Sequence, residues 1–191
     1  RSEDSLAQSL EGLENCFGVV GDATDPVQAS KLIRKAVELV GGIDILICNV
    51  GNGSSPNNAI NNYGVIIDAA AGNGDEDTGQ EEYSAHYPAS YDQVVSVCAV
   101  DCDGNWDGWA TYHHTVDLAA PGDDVYSTVI GGTYRYLRGS SMASPNVASV
   151  MGLIWAYYPL WSKDAIRDAT LLSADSSIYI INPDYIDCKG A

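Results

Sequence analysis

Residues 16–50 read CFGVVGDATDPVQASKLIRKAVELVGGIDILICNV, and their changes of period decide the fold class. CFGVVGD is a short apolar run, rich in Val and closed by Gly21-Asp22, which predicts a buried strand. Asp25 and Pro26 form a helix start signal, and Ala29, Leu32, Ile33, Ala36 and Val37 recur at the i, i+3, i+4, i+7 and i+8 spacing of one helix face. Gly41 and Gly42 stop that helix, and IDILICNV is then apolar almost throughout, as expected for a strand covered on both faces. The following NGSSPNN is turn chemistry. Strand, helix and strand in succession predict a parallel pair.

The same logic extends along the chain with longer elements. GVIIDAAAGN (64–73) and QVVSVCAVD (93–101) predict buried strands, and TVDLAAPG (115–122) and VYSTV (125–129) two shorter ones, with Gly and Asp between them. In SPNVASVMGLIWAYYP (144–159), Val147, Val150, Met151, Ile154, Trp155 and Tyr158 form a wide apolar stripe, Pro145 fits a first turn and Pro159 ends the element. This predicts a central, buried helix. Ser162 caps a further helix to about Leu172, and the tail SSIYIINPDYIDCKGA is a short apolar run followed by a turn. There is no internal repeat. The expected architecture is a single three-layer α/β domain over residues 1–191, with a mostly parallel sheet and helices on both faces.

Composition narrows the function classes. The 191 residues suffice for one full core, and at 46% hydrophobic and 18% charged the chain reads as a folded domain with no run near the roughly 18 apolar residues of a membrane span. Nine Lys and Arg against 26 Asp and Glu give a net charge of -17, which repels phosphate backbones and anionic lipid, so neither nucleic acid nor a membrane surface is expected as partner. Cys16, Cys48, Cys98, Cys102 and Cys188 lack C-x-x-C spacing and signal neither a zinc site nor a disulfide framework. The first residues, RSEDSLAQ, carry no secretory-signal pattern.

Gly139-Ser140-Ser141-Met142-Ala143-Ser144-Pro145 is the segment that carries chemistry. A serine at the start of a buried helix lies beside unpaired N–H groups and the positive dipole end, where a developing oxyanion is favoured. By itself such a serine reads more readily as an ordinary N-cap, since caps are far commoner than nucleophiles. The wording GSSMASP, however, resembles the serine motif of subtilisin-like serine proteases; VIIDAAAGN resembles the strand that ends in that family's oxyanion asparagine, and TVDLAAPGDDVYST the strand pair before the serine. The likeness runs in family order over about residues 56–175. It implies that Ser141 is an acyl-accepting nucleophile, that Asn73 donates its amide to the oxyanion beside the Ser141 N–H, and that Ala70, Ala71 and Gly72 wall a pocket for the substrate side chain. The implied substrate is a peptide or protein, and the implied location extracellular.

The departures from that family bear on activity. Its Asp-Thr/Ser-Gly and His-Gly-Thr-His motifs, which carry the aspartate and the base, do not occur here, and no histidine precedes Asn73. His86, His113 and His114 fall in what are surface connections in the family, and Asn146 stands where it usually has a structural histidine. A serine without its base is a weak nucleophile.

Residues 1–55 resemble short-chain dehydrogenases instead, through FGVVGDATDP and KAVELVGGIDILICNVG. That likeness implies a nicotinamide cofactor with Asp22 at its adenine and Cys48-Asn49-Val50-Gly51 steadying the sheet, although the glycine-rich phosphate loop is not among these residues. Tyr185 and Lys189 have the Tyr-x-x-x-Lys spacing of that family's catalytic pair, a spacing that twelve tyrosines also produce by chance. The chain thus divides into a dehydrogenase-like segment (1–55), a subtilase-like half (56–177) and a tail (178–191), and a non-catalytic chimera is a third reading. Asp101, Asp103, Asn105 and Asp107 alternate as in half a calcium loop, but Trp106 and Tyr112 replace the glycine and glutamate it needs, so a turn on Asp103-Gly104-Asn105 is expected and no cofactor or metal is assigned. The run GDEDTGQEE reads as a solvated loop, and calcium there is the weak exception that subtilisin-like proteases suggest.

Overall fold

The computed structural model describes residues 3–12, 14–21, 25–43, 45–48, 64–75, 77–106, 108–129 and 131–186. Asp22, Asn49, Val50, Gly51, Asp107 and Lys189, singled out above, lie outside the described residues.

Helix α1 spans Glu3–Leu10. Residues 16–21 carry no strand pairing, contrary to expectation. Two glycines dilute this run, and helix side chains occupy the space they leave: a Cβ at Gly18 would stand 2.5 Å from Leu6 Cδ1, and one at Gly21 2.7 Å from Leu32 Cδ2. Helix α2 (Pro26–Val40) follows its signals closely. The Asp25 carboxylate accepts from the N–H groups of Val27 (2.8 Å) and Gln28 (3.0 Å), and Gly41, at φ 82°, ends the helix by returning its N–H to Val37 O.

Strands β1 (Ile45–Cys48), β2 (Ile66–Ala70), β4 (Val94–Val100) and β6 (Leu118–Pro121) form one sheet in the order β1-β2-β4-β6. Every pairing is parallel, with Ile45 opposite Ile66, Ile67 opposite Val94 and Val97 opposite Leu118. The short strands β3 (Glu82–Tyr83) and β5 (Thr111–Tyr112) pair separately. Strand β7 (Val125–Val129) pairs antiparallel with β8 (Thr133–Leu137), which the sequence reading did not recognise. Residues 133–136 of β8 are all exposed, so no burial alternation marks it.

Helices α3 (Ser140–Tyr157) and α4 (Lys163–Leu172) cover one face of the sheet. Ala143, Val147 and Met151 of α3 and Ile166 of α4 pack on Ile66, Val95, Val97, Ala99, Leu118 and Ala120. On the other face Val65, Ile67 and Ala69 are buried with Ala89 and Val94, and Ile43 and Tyr91 pack against them. Met151 and Ile166 are fully buried, each contributing about 1.5–3 kcal/mol. The three-layer α/β expectation holds.

Two expectations for α3 need correction. It begins at Ser140, so Pro145 lies in its second turn and not its first. It is buried on one face only: Leu153 is 72% and Tyr157 77% exposed, because the sheet and α4 meet only the Ala143–Val147–Met151 side. Ser162 caps α4 as predicted, accepting from Ala165 N. The tail forms a short helix α5 (Ile178–Ile181) and a 3-10 turn, Pro183–Tyr185.

Candidate active site

All four strands of the main sheet point the same way, so their C-terminal ends share one edge, the usual place for a site in an open α/β sheet. Two backbone segments leave that edge and meet. The first continues β2: Ala71 N bonds Val97 O (2.8 Å), Gly72 O accepts from Thr111 N (3.3 Å), and Gly74 N donates to Thr111 Oγ1 (2.9 Å). The second runs from β6, where Gly122 N bonds Val100 O and Gly122 O accepts from Gly139 N, both at 2.8 Å, to the first turn of α3.

The contact between them is polar and specific. Asn73 Oδ1 accepts from Ser140 N at 2.9 Å and from Ser140 Oγ at 3.0 Å, while Gly72 N donates to Ser140 Oγ at 3.1 Å. Gly139, at φ 148°, makes the approach possible. A Cβ there would lie 3.4 Å from Asn73 Oδ1, 3.6 Å from Asn73 Nδ2 and 3.6 Å from Ser141 N, so the Asn73 carboxamide lies close to the backbone at the start of α3. Ser140 is buried, Ser141 half-buried and Asn73 exposed. No acidic residue stands in the first turn of α3 to offset the positive end of the helix.

The remaining residues singled out in the sequence fall as follows. Ala70 and Gly72 are partly exposed beside Asn73, whereas the Ala71 methyl is buried with Cys98 and Val116. His86 lies against Gly72: a Cβ on that glycine would stand 3.0 Å from His86 Cδ2. Its Nε2 bonds Ser84 Oγ (2.9 Å) and lies 3.9 Å from Glu82 Oε2. His113 Nδ1 bonds Thr115 Oγ1 and His114 Nδ1 bonds Tyr83 OH, both at 2.9 Å. None of these partners is on α3. Burial and the neighbouring His114 hold the His113 imidazole below the ordinary histidine range. Asn146 Nδ2 donates to Pro121 O, tying α3 to β6.

Tyr185 OH donates to the Glu81 carboxylate at 2.7 Å, which Trp106 Nε1 also meets at 2.8 Å; burial and that carboxylate push the phenol up to about 12. The Asp101 carboxylate accepts from the N–H groups of Asp103 and Asn105 and from Asn105 Nδ2, so it closes its own turn, as expected. Among the described residues no group of three His, Cys, Asp or Glu side chains could hold a metal, and no helix is long and apolar enough to cross a membrane.

Two polar residues near the site escaped the sequence reading. Ser140 is hidden beside a more conspicuous serine. Asp68, completely buried in β2, receives the Ser144 hydroxyl proton on Oδ1, and its Oδ2 has no partner among the described residues. The interruption of the apolar run VIIDAAA was the signal for it.

The match to the Subtilase family runs over residues 18–185, across β1 as well as the serine-bearing half. Subtilisin DY of Bacillus licheniformis is 36% identical over 184 residues, covering 85% of this chain and 66% of its own length. The thermostable alkaline protease of Halalkalibacterium halodurans is 32% identical over 182 residues, covering 85% and 49%. Among solved structures, a protease from Pseudoalteromonas arctica superposes with a TM-score of 0.61 at 28% identity, over 71% of this chain and 45% of its own. The chain thus spans about half to two thirds of the length of the relatives it matches. With the Asn73–Ser140 contact at the sheet edge and the serine helix behind it, the chain belongs to the subtilase family.

Proposed function

We infer that the chain is the serine-bearing part of a subtilisin-like serine endopeptidase, and that on its own it is a very poor catalyst. The observation that carries the reading is the hydrogen bonding of Asn73 to the first turn of α3, its Oδ1 accepting from Ser140 N and Ser140 Oγ, which brings the carboxamide to the residue before Ser141. A peptide carbonyl oxygen placed beside Asn73 Nδ2 and the Ser141 N–H would have two donors for the charge it develops in the tetrahedral intermediate. Ser141 Oγ would bond the carbonyl carbon, the peptide C–N bond would break as the amine takes up the serine's proton, and water would release the acyl group. Ala70 and Gly72 supply the wall beside the substrate side chain, and an extracellular setting follows from a protease acting on proteins.

The weak link is the proton. A hydroxyl attacks efficiently only with a base within about 3 Å to receive its hydrogen. The His-Gly-Thr-His motif that carries the family's base does not occur in this sequence, and the three histidines present stand at none of its positions. Donors and binding alone still retain about a thousandfold acceleration over water. A fluorophosphonate should therefore label Ser141 slowly, over hours, and Ser141→Ala should abolish the labelling. Stoichiometric labelling within minutes would mean that a base does reach Ser141, and replacing each histidine in turn would find it.

A further inference from the structure

The side-chain pocket of the proposed endopeptidase runs along Ala70 and Gly72, and the groups behind Gly72 decide what it accepts. A Cβ on Gly72 would lie 2.5 Å from Thr111 Oγ1, 3.0 Å from His86 Cδ2 and 3.1 Å from His86 Nε2. With Gly72 at φ 121° and no side chain in between, the wall closes directly on the imidazole. His86 Nε2 shares a hydrogen bond with Ser84 Oγ at 2.9 Å and has Glu82 Oε2 3.9 Å away.

Strand register fixes the direction of Glu82. β3 and β5 pair in parallel, with Glu82 opposite Thr111 and Tyr83 opposite Tyr112, and paired residues project to the same face. Thr111 Oγ1 accepts from Gly74 N, so Glu82 leaves β3 on the side of the Gly72–Gly74 segment; Tyr83 and Tyr112 meet on the other side, their ring centroids 5.4 Å apart. The two adjacent glutamates differ in what they meet. The Glu81 carboxylate accepts from Tyr185 OH and Trp106 Nε1. Glu82 meets only His86 among the described residues, at a distance too long for a hydrogen bond, and forms no ion pair with Lys or Arg. The wall therefore ends in a half-exposed carboxylate whose acceptor sites are open. A guanidinium or ammonium group has donors only and complements it with charge-assisted hydrogen bonds. An anionic side chain would meet like charge there, and an apolar one would displace water from the carboxylate without replacing its hydrogen bonds. The net charge of -17 attracts cationic chains over longer range as well.

We propose that Glu82, set beside His86 and Ser84 at the end of the Ala70–Gly72 wall, makes this pocket select a cationic side chain, lysine or arginine, on the substrate residue whose carbonyl meets Ser141. The proposal rests on the protease reading for the path of the substrate backbone; the preference itself is measurable without breaking any bond.

The first measurement titrates the intact, isotope-labelled chain with acetyl-Ala-Ala-X-amide peptides in which X is arginine, citrulline or glutamate. Citrulline keeps the shape of arginine and lacks its charge. The arginine peptide should shift the amide signals of Gly72 and His86 and bind about fivefold more tightly than the citrulline peptide, with glutamate weakest. Glu82→Gln should bring arginine and citrulline within about twofold of each other, while Asp164→Asn, which removes the same charge from an exposed position on α4, should leave the ratio in place. Absence of shifts at Gly72 and His86, equal binding of arginine and citrulline, a preference for glutamate, or an unchanged ratio in Glu82→Gln overturns the proposal. An equal loss in Asp164→Asn overturns it too, because the preference would then belong to the net charge and not to the pocket.

The second measurement uses peptidyl phosphonate diphenyl esters with the same arginine or citrulline side chain, in which a serine oxygen bonds phosphorus as phenol leaves. Ser141 should be labelled about fivefold faster by the arginine ester in the parent chain and within about twofold in Glu82→Gln; equal rates in the parent overturn the proposal. If neither ester labels the chain faster than it labels Ser141→Ala, the acyl-transfer reading falls, and the binding ratio at Gly72 and His86 still decides the pocket.

Discussion

Asp68 is a buried carboxyl group whose ionisation bears on the stability of the chain. It lies in β2 on the face that meets α3, fully buried, with Ser144 donating to one oxygen and the other unpartnered among the described residues. Burial pushes its carboxyl from 3.8 up to about 7, and the Ser144 bond offsets only part of that. Below about pH 4 both folded and unfolded states hold the proton. Between there and about pH 7 the unfolded chain ionises while the folded chain keeps its proton, so stability falls as pH rises. Above pH 7 the loss is complete, on the order of 4 kcal/mol. Asp68→Asn removes the titration, and by urea denaturation it should be more stable than the parent at pH 8 by about 1–3 kcal/mol, with the difference vanishing or reversing near pH 4. Parallel pH curves for the two proteins would show that Asp68 does not titrate in this range. Ser141 and Asn73 could be proposed from the sequence because a short motif carries each; Ser140, Asp68 and the packing of His86 on Gly72 depend on the folded chain, since their partners lie far along it.

The elements show the same division between local and distant causes. The caps of α2 and α4 were readable because Asp25, Gly41 and Ser162 act on N–H and C=O groups within four residues. The orientation of α3 was not readable: its sequence is apolar almost all round, and only the sheet decides which side is core. Met151 faces Val97 and Ala99 and is fully buried, while Leu153 points to solvent. Met151→Ala should therefore cost about 2–5 kcal/mol in urea or thermal unfolding, and Leu153→Ala less than about 0.5 kcal/mol. Equal losses at the two positions would mean that both faces of α3 are covered in solution. The strand predicted for CFGVVGD is not formed over residues 16–21 for a related reason: an apolar run becomes a strand only where a sheet edge accepts its hydrogen bonds, and here two glycines let helix side chains sit on it.

At the scale of the whole molecule, the remaining question is whether the dehydrogenase-like wording of residues 1–55 brings cofactor binding with it. Such sites hold a pyrophosphate at a helix N-terminus, where free N–H groups and the positive dipole end meet the anion. In this chain the N-terminus of α2 already holds an anion of its own, because the Asp25 carboxylate accepts from Val27 N and Gln28 N. A phosphate would have to displace a tethered carboxylate and then face its charge. The net charge of -17 adds long-range repulsion, most strongly at low ionic strength. Tyr185, the tyrosine of the Tyr-x-x-x-Lys spacing, is held by Glu81 and Trp106 with its phenol pushed up to about 12, the reverse of what a proton donor working near neutral pH requires. Titrating NADH and following its fluorescence should therefore give no saturable change up to the high micromolar range, at low and at moderate salt. Saturation in the low micromolar range, lost on Tyr185→Phe, would make residues 1–55 a working cofactor segment and displace the protease reading from first place.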